Sequence, residues 1–329
     1  MHAPDGFYSN GLCLVMDLAC GGVLAYSLKK IWKKVDTTHE VLLAGSIGAF
    51  CFALEMANFE VTRGSSCHFM GGVFASLVLG PYLATIVMTL AHIIQVLIFQ
   101  DGGIMAFGPN LLTIVCVSTF GGYYLYSLLK NLVIEPYGSY LSAFLSAWLT
   151  LLITSLTVCG MLAICEIEKF SGTISPMLGP HVEVGIAEGI LTVFLLGCFR
   201  LLAPRGPHYQ GQDSLRSSRK TAYVLLSMAL LISLVISPCA SRSADGLKKF
   251  ALNRVQVNSP QIIAPYHAPI PDYHLPGIKN QKLAKILGGT FGTMATFLLC
   301  FSGVGILSSK GAEGSQVSVL NEKAGIEEV

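Results

Sequence analysis

The sequence predicts an all-α fold, a polytopic membrane bundle of about nine transmembrane helices, and three observations predict it. Of the 329 residues, 53% are hydrophobic and only 12% are charged, whereas a soluble domain carries roughly 25% charged residues. Mean hydropathy is +0.63. Apolar runs of helix length recur from end to end, not the short alternating segments of a membrane β-barrel. Net charge is only +2, so no global basic excess points to nucleic acid. The 10 cysteines are scattered through apolar runs without a C-x-x-C pair. They read as small membrane-helix residues, not as a disulfide or zinc framework. No basic residue precedes the first apolar run and no small-residue cleavage site follows it, so no signal peptide is expected. The bulk of His2 predicts that Met1 is retained after translation.

The first span covers about Gly11 to Leu28 and stops at Lys29, Lys30, Lys33 and Lys34. The positive-inside rule places that basic loop in the cytoplasm and the N-terminus outside. A second span, about Val41 to Phe59, returns outward to a polar turn, Glu60 to His68. The third, about Phe69 to Leu79, breaks at Gly80-Pro81. It is too short for a bilayer that needs ~20 residues. It is expected to lie inside the bundle, which carries His68 below the surface. A fourth span, about Leu83 to Phe99, leads to an outer turn, Gln100-Asp101-Gly102-Gly103. The fifth runs inward from about Met105 to Leu129, and the sixth outward from about Tyr140 to Cys165. Glu166 to Pro180 reads as an outer loop, because proline commonly stops a helix. The seventh span, about Val182 to Leu202, ends near Arg200, Arg205, Arg216, Arg219 and Lys220. This second basic cluster falls on the cytoplasmic side if seven spans precede it. An eighth span, about Ala222 to Ser237, opens into a proline-rich polar loop, Pro238 to Gln281. The ninth, about Leu283 to Leu307, brings the C-terminus inside. Lys279, Lys282 and Lys285 run against the charge rule there, which long translocated loops obey weakly.

These boundaries divide the chain into a seven-span part over 1–205, a cytoplasmic linker over 206–221, a two-span part over 222–307 and a flexible cytoplasmic tail over 308–329. The pairs Gly21/Ala25, Ala44/Gly48, Gly185/Gly189 and Gly288/Gly292 have the spacing that lets membrane helices approach closely.

The chemistry concentrates in Met1-His2-Ala3-Pro4-Asp5-Gly6. The Met1 amine and the His2 amide nitrogen close a five-membered ring on a metal ion. The same amide nitrogen and Nδ1 of His2 close a six-membered ring. Pro4 has no backbone N–H, so chelation cannot run past Ala3. Three corners of a square are filled, a geometry that suits Ni(II) or Cu(II) with nitrogen donors. His68, on the same side of the membrane, is the natural fourth donor. Cys67 competes, since thiolate binds the same metals; imidazole is preferred at a nitrogen-only site. Asp5 reads first as turn chemistry in Pro-Asp-Gly, with a hydrogen bond to a ligating histidine as the other reading. Polar residues within spans are costly and face the protein interior. His92, Gln95 and Asn110 form one such set, and His181, Glu183 and Glu188 another. They read as networks holding loops over the site, with a metal path as the other reading. His39, His208, His267 and His274 lie in loops without an evident partner. No G-x-x-x-x-G-K-[ST], H-E-x-x-H or G-x-S-x-G motif is present. No P-loop nucleotide site or hydrolase centre is expected, so any energy for transport must come from elsewhere.

M-H-A-P-D-G-F-Y-S resembles the M-H-I-P-D-G-F-L-S opening of the nickel/cobalt substrate-binding components of energy-coupling factor transporters, the NikM/CbiM family. Gly64 to Gly72 (G-S-S-C-H-F-M-G-G) is similar to that family's histidine loop. Gln95 to Asn110 (Q-V-L-I-F-Q-D-G-G-I-M-A-F-G-P-N) matches its glutamine–DGG–asparagine segment, and His181 to Thr192 resembles a later helix. Further on, Ala244-Asp245-Gly246-Leu247, Pro271 to Asn280 and the last span are similar to the small NikN/CbiN-type partner, fused here to the same chain. The resemblance implies a metal site made by the Met1 amine, the His2 amide and imidazole nitrogens, and the His68 imidazole. It implies Ni(II) as transported substrate, with Co(II) second. It also implies a membrane coupling (T) component and two cytoplasmic ATPase subunits as partners, in the cell (inner) membrane. The chain departs from the family pattern at Ala3 and Cys67. The alternatives are a Co(II) importer component serving cobalamin-related supply and a non-transporting membrane metal sensor.

Overall fold

A computed structural model describes residues 2–32, 34–35, 38–61, 65–132, 137–202, 219–241, 247 and 266–323, with 309–323 described as backbone. Among the described residues, eight helices are long and apolar enough to cross a membrane. They are α1 (Asn10–Ile31), α2 (Thr38–Met56), α4 (Pro81–Phe99), α5 (Phe107–Lys130), α6 (Gly138–Ile164), α7 (Phe170–Leu202), α8 (Arg219–Cys239) and α9, whose span is Gln281–Ser308. The ninth apolar segment is the short α3 (Gly72–Leu79), buried at every position. Of the polar tail, the backbone continues α9 as far as Lys323.

The bundle is built around α2, which is buried along nearly its whole length. It packs against α4 on one side and against α8 and α9 on another, while α6 and α7 pair with each other. Small residues make these seams close. A Cβ on Gly48 would press on Cys300 of α9, and one on Gly189 would overlap Phe144 of α6. The pair at Gly21 is different: nothing lies within reach of a Cβ there. Large apolar side chains on the outer faces, such as Leu18, Ile190 and Phe291, are exposed. That pattern suits helices surrounded by hydrocarbon.

Two segments differ from the sequence reading. The expected outer loop 166–180 is helical from Phe170 onward, with Pro176 and Pro180 inside α7. Proline removes a backbone donor, and two side chains bond backbone carbonyls nearby. The Thr173 hydroxyl donates to Phe170 O at 2.8 Å and His181 Nδ1 bonds Met177 O. The polar turn before His68 is an antiparallel hairpin, β1 (Phe59–Val61) with β2 (Ser65–Cys67), in the register Phe59 to Cys67 and Glu60 to Ser66. Strands of three residues are too short for alternation to be seen. The hairpin fixes where the next residue, His68, begins.

Candidate metal centre

The N-terminal strap is held from both sides of its third residue. Ala3 N donates to Asn110 Oδ1 at 2.8 Å, and Asn110 Nδ2 donates back to Ala3 O at 3.0 Å. Gly103 N also donates to Ala3 O, at 2.9 Å. Asp5 Oδ1 accepts from Met105 N at 2.6 Å, and Phe7 N closes a turn onto Pro4 O. Asp5 therefore pins the strap to the loop after α4, a long-range contact that neither sequence reading of Asp5 named. Gly103 has no room for a side chain there, because a Cβ would overlap the Asp5 backbone.

This anchoring has a chemical consequence. The Ala3 amide hydrogen is committed to a neutral carbonyl oxygen, so Ala3 N is not open to a metal. The fold thus reinforces the stop that Pro4 imposes. Replacing Asn110 by Ala leaves the buried Ala3 N–H without its partner, at about 1–3 kcal/mol, while Ala3 O keeps its bond from Gly103 N. Nickel affinity in Asn110→Ala is expected to fall about 10–100-fold, the usual effect of losing a partner that orients a ligand. Isothermal titration of the purified protein reads that loss; an unchanged affinity separates the strap from the site.

His2, His68 and His92 are all buried. The His2 ring stacks on His68 with centroids 5.3 Å apart and on His92 at 5.5 Å. His68 Nδ1 lies 3.0 Å from the Phe69 carbonyl, which only accepts. Nδ1 therefore carries the proton and the ring's lone pair sits on Nε2. Burial, with the adjacent His2 imidazole adding to it, pushes the His68 pKa down to about 3. The ring is neutral near pH 7, as a ligand must be. The turn after His68 is held by Glu188 of α7, whose two carboxylate oxygens accept from Met70 N at 3.0 Å and Gly71 N at 2.8 Å.

His2 Nδ1 lies 3.3 Å from Asp101 Oδ1. The other oxygen of Asp101 accepts from the Tyr273 hydroxyl at 2.6 Å. Tyr273 belongs to the second part of the chain and stacks on Phe99 at 4.6 Å. Ile270 N also bonds Ile98 O at 3.0 Å, so the segment before α9 clamps the end of α4. Among the described residues no group of three His, Cys, Asp or Glu side chains is placed to hold an ion by itself. Met1, whose amine the expected chelate needs, lies outside the described residues, as does His208.

The other expected residues resolve simply. Cys67 sits in β2 and packs with the main apolar cluster. Glu183 and His267 are exposed, His39 accepts from Arg219 Nε at 3.1 Å, and His274 bonds the Asp272 carbonyl. Asp101 and Glu55 were not singled out in the sequence. Glu55 Oε2 accepts from Gln95 Nε2, and Gln95 Oε1 lies 3.2 Å from His92 Nδ1. An ionisable residue inside an apolar run was the available signal for Glu55. For Asp101 it was the polar turn itself.

The family model CbiM, described as the cobalt uptake substrate-specific transmembrane region, matches residues 2–206. The chain belongs to the CbiM family. A second model, the PDGLE domain, matches residues 219–310 of this CbiM-family protein. A putative fused nickel transport protein NikMN of Archaeoglobus fulgidus is 27% identical over 307 residues, covering 92% of this chain and 97% of its own length. A probable fused nickel transport protein LarMN of Lactiplantibacillus plantarum is 26% identical and covers 84% of this chain and 90% of its own. A cobalt transport protein CbiM of Acetoanaerobium sticklandii is 26% identical over 203 residues, covering 59% of this chain and 82% of its own. Two crystal structures titled as a transition metal transporter and its truncated form superpose with TM-scores of 0.56 and 0.54, at 27% and 30% identity. Each covers 61% of this chain, and they are covered to 93% and 98% of their own length.

Proposed function

We propose that this multi-pass membrane protein is the substrate-capture component of a metal importer of the energy-coupling factor type. It takes Ni(II) from outside the cell (inner) membrane, with its N-terminus outside and its C-terminus inside. The ion is held by four nitrogens: the Met1 amine, the His2 amide, His2 Nδ1 and His68 Nε2. One observation carries the reading. The fold buries His2 against His68 while tying the next amide, Ala3 N, to Asn110. A chelate that begins at the amine is thereby limited to three in-plane nitrogens, and the neutral imidazole of His68 completes the square. Binding through Nδ1 replaces the contact with Asp101, whose carboxylate then balances charge beside the complex. The His2 amide loses its proton on binding.

Residues 1–205 form the metal-binding part and 222–307 the fused NikN/CbiN-like part, joined by the linker 206–221; the tail is 308–329. With no P-loop motif in the sequence, ATP is hydrolysed by two cytoplasmic ATPase subunits acting through a membrane coupling (T) component. Cells expressing this chain with those subunits should accumulate radioactive nickel, and cells expressing the chain alone should bind it without accumulating it. Equal accumulation in both refutes the division of labour. Binding without accumulation in both indicates a sensor. The cobalt names among the relatives favour Co(II) as the second cargo, which competition between the two ions in the same uptake assay reads directly.

A further inference from the structure

Glu188 sits in the apolar run of α7 and is 2% exposed. A carboxylate buried within a membrane helix is costly and asks for a partner and a use. Its partners are two consecutive backbone donors across the bundle. Oε2 accepts from Met70 N at 3.0 Å, and Oε1 from Gly71 N at 2.8 Å. The first of these bonds reaches His68. Met70 N and Phe69 O belong to one peptide unit, and Phe69 O is the atom that holds His68 Nδ1, at 3.0 Å. A peptide unit is planar, with its N–H and C=O on opposite edges. Fixing the N–H therefore fixes the direction of the C=O. A continuous path runs from carboxylate to imidazole: Glu188 Oε2, Met70 N–H, Phe69 C=O, His68 Nδ1–H. Hydrogen bonds linked in series polarise and strengthen one another. The second bond, to Gly71 N, keeps the peptide from turning about the chain.

The support behind Glu188 is close-packed. Gly185 and Gly189, three residues before it and one after, let α7 close on α6, where a Cβ would overlap Trp148 and Phe144. Trp148 Nε1 also donates to Val182 O at 3.2 Å. α7 is thus seated on α6 near the level of the carboxylate.

We propose that Glu188 is a positioning residue for the metal: acting through the Phe69–Met70 peptide, it keeps the His68 proton on Nδ1 and presents Nε2 as the donor. The proposal rests on the capture reading above, in which His68 fills the fourth corner. Metal-binding histidines commonly give their far N–H to a carboxylate or to a backbone carbonyl. Here the two stand in series, with the carboxylate supplied by a helix more than a hundred residues away in the chain. The bonds of Glu188 go to the backbone, so its effect on the ion passes through His68.

The test is a double-variant cycle in the purified full chain, titrated with Ni(II) and followed by visible absorption and thermal unfolding. Glu188→Gln keeps the shape but turns one acceptor into a donor, so Met70 N or Gly71 N loses its bond. It should bind Ni(II) about 10–100-fold more weakly, with an absorption spectrum displaced toward that of His68→Ala. In a chain already carrying His68→Ala, the same exchange should change affinity less than about threefold, because the residue it acts through is gone. Glu188→Asp keeps the charge but sets it one methylene short of the amides. It is read in the same cycle and should show the same pattern, which keeps the test intact if the Gln variant folds poorly. A Ni(II) affinity in both variants within about threefold of the unaltered chain overturns the proposal. So does a loss of equal size with and without the His68 imidazole, which marks a role in the bundle alone. His68→Ala by itself separates the two readings. If it keeps its Ni(II) affinity, the capture reading fails; if it loses affinity while the Glu188 variants do not, only the role given to Glu188 fails.

Discussion

A chain carrying an acetyl group on the Met1 amine is expected to bind Ni(II) about 10⁴-fold more weakly. Four-ligand zinc sites are worth about 10–16 kcal/mol in apparent free energy, so each donor contributes roughly 3 kcal/mol, or about a hundredfold. Acetylation turns the amine into an amide without a basic lone pair. The five-membered ring is lost, and the His2 amide then has no neighbouring donor to favour its deprotonation. An added residue ahead of Met1 acts differently: the new amine, two amides and His2 Nδ1 can fill all four corners of the square, so Ni(II) binding that no longer depends on His68 is the expected result. The native chelate ties affinity to pH: it rises about tenfold per pH unit for each proton displaced. Titration followed by absorption reads both effects, since the planar nickel form is yellow and diamagnetic. An affinity of the acetylated chain within about tenfold of the unmodified chain removes the amine from the site, and a melting temperature equal to that of the unmodified chain shows that the bundle is intact.

The spans were legible because lipid imposes a length and a composition on any helix that crosses it. Asn10–Ile31 and Pro81–Phe99 stand within a few residues of the apolar runs that mark them. Where the reading missed, local signals opposed tertiary ones. Pro176 and Pro180 signalled a loop, yet packing of α7 on α6 keeps a helix through them. His2 and His68 could be paired in the sequence because nitrogen chemistry singles them out. The staple between Ala3 and Asn110 joins residues 107 positions apart, and no local pattern encodes that contact. Asn110 was visible as a polar residue in an apolar run, with a role in holding loops. Its specific task, taking the Ala3 amide out of play, is legible only in three dimensions. Tyr273 lies still further from the site in sequence, and its bond to Asp101 places the second part of the chain at the edge of the pocket.

His68→Ala is the variant that tests the fourth corner, with an expected loss of about a hundredfold in Ni(II) affinity, one donor's share of the site. The backbone around it does not depend on the imidazole. The hairpin register brings the chain to this point, and Glu188 holds the turn through Met70 N and Gly71 N. Gly71 adopts φ 71° there, a left-handed conformation glycine takes without strain. Melting should therefore change little while binding falls. Cys67→Ser is the matched comparison. Its sulfur sits among apolar residues opposite Phe59, so the exchange should cost stability by burying a hydroxyl but leave nickel affinity within about threefold, the context scatter of a site left unaltered. Free imidazole added to His68→Ala should restore part of the binding, because the truncated side chain leaves space for a ring beside His2. Nickel affinity unchanged in His68→Ala, or lost equally in Cys67→Ser, gives the fourth corner to another donor. Rescue by imidazole, absent with an apolar ring of the same size, identifies the nitrogen rather than the packing as what His68 supplies.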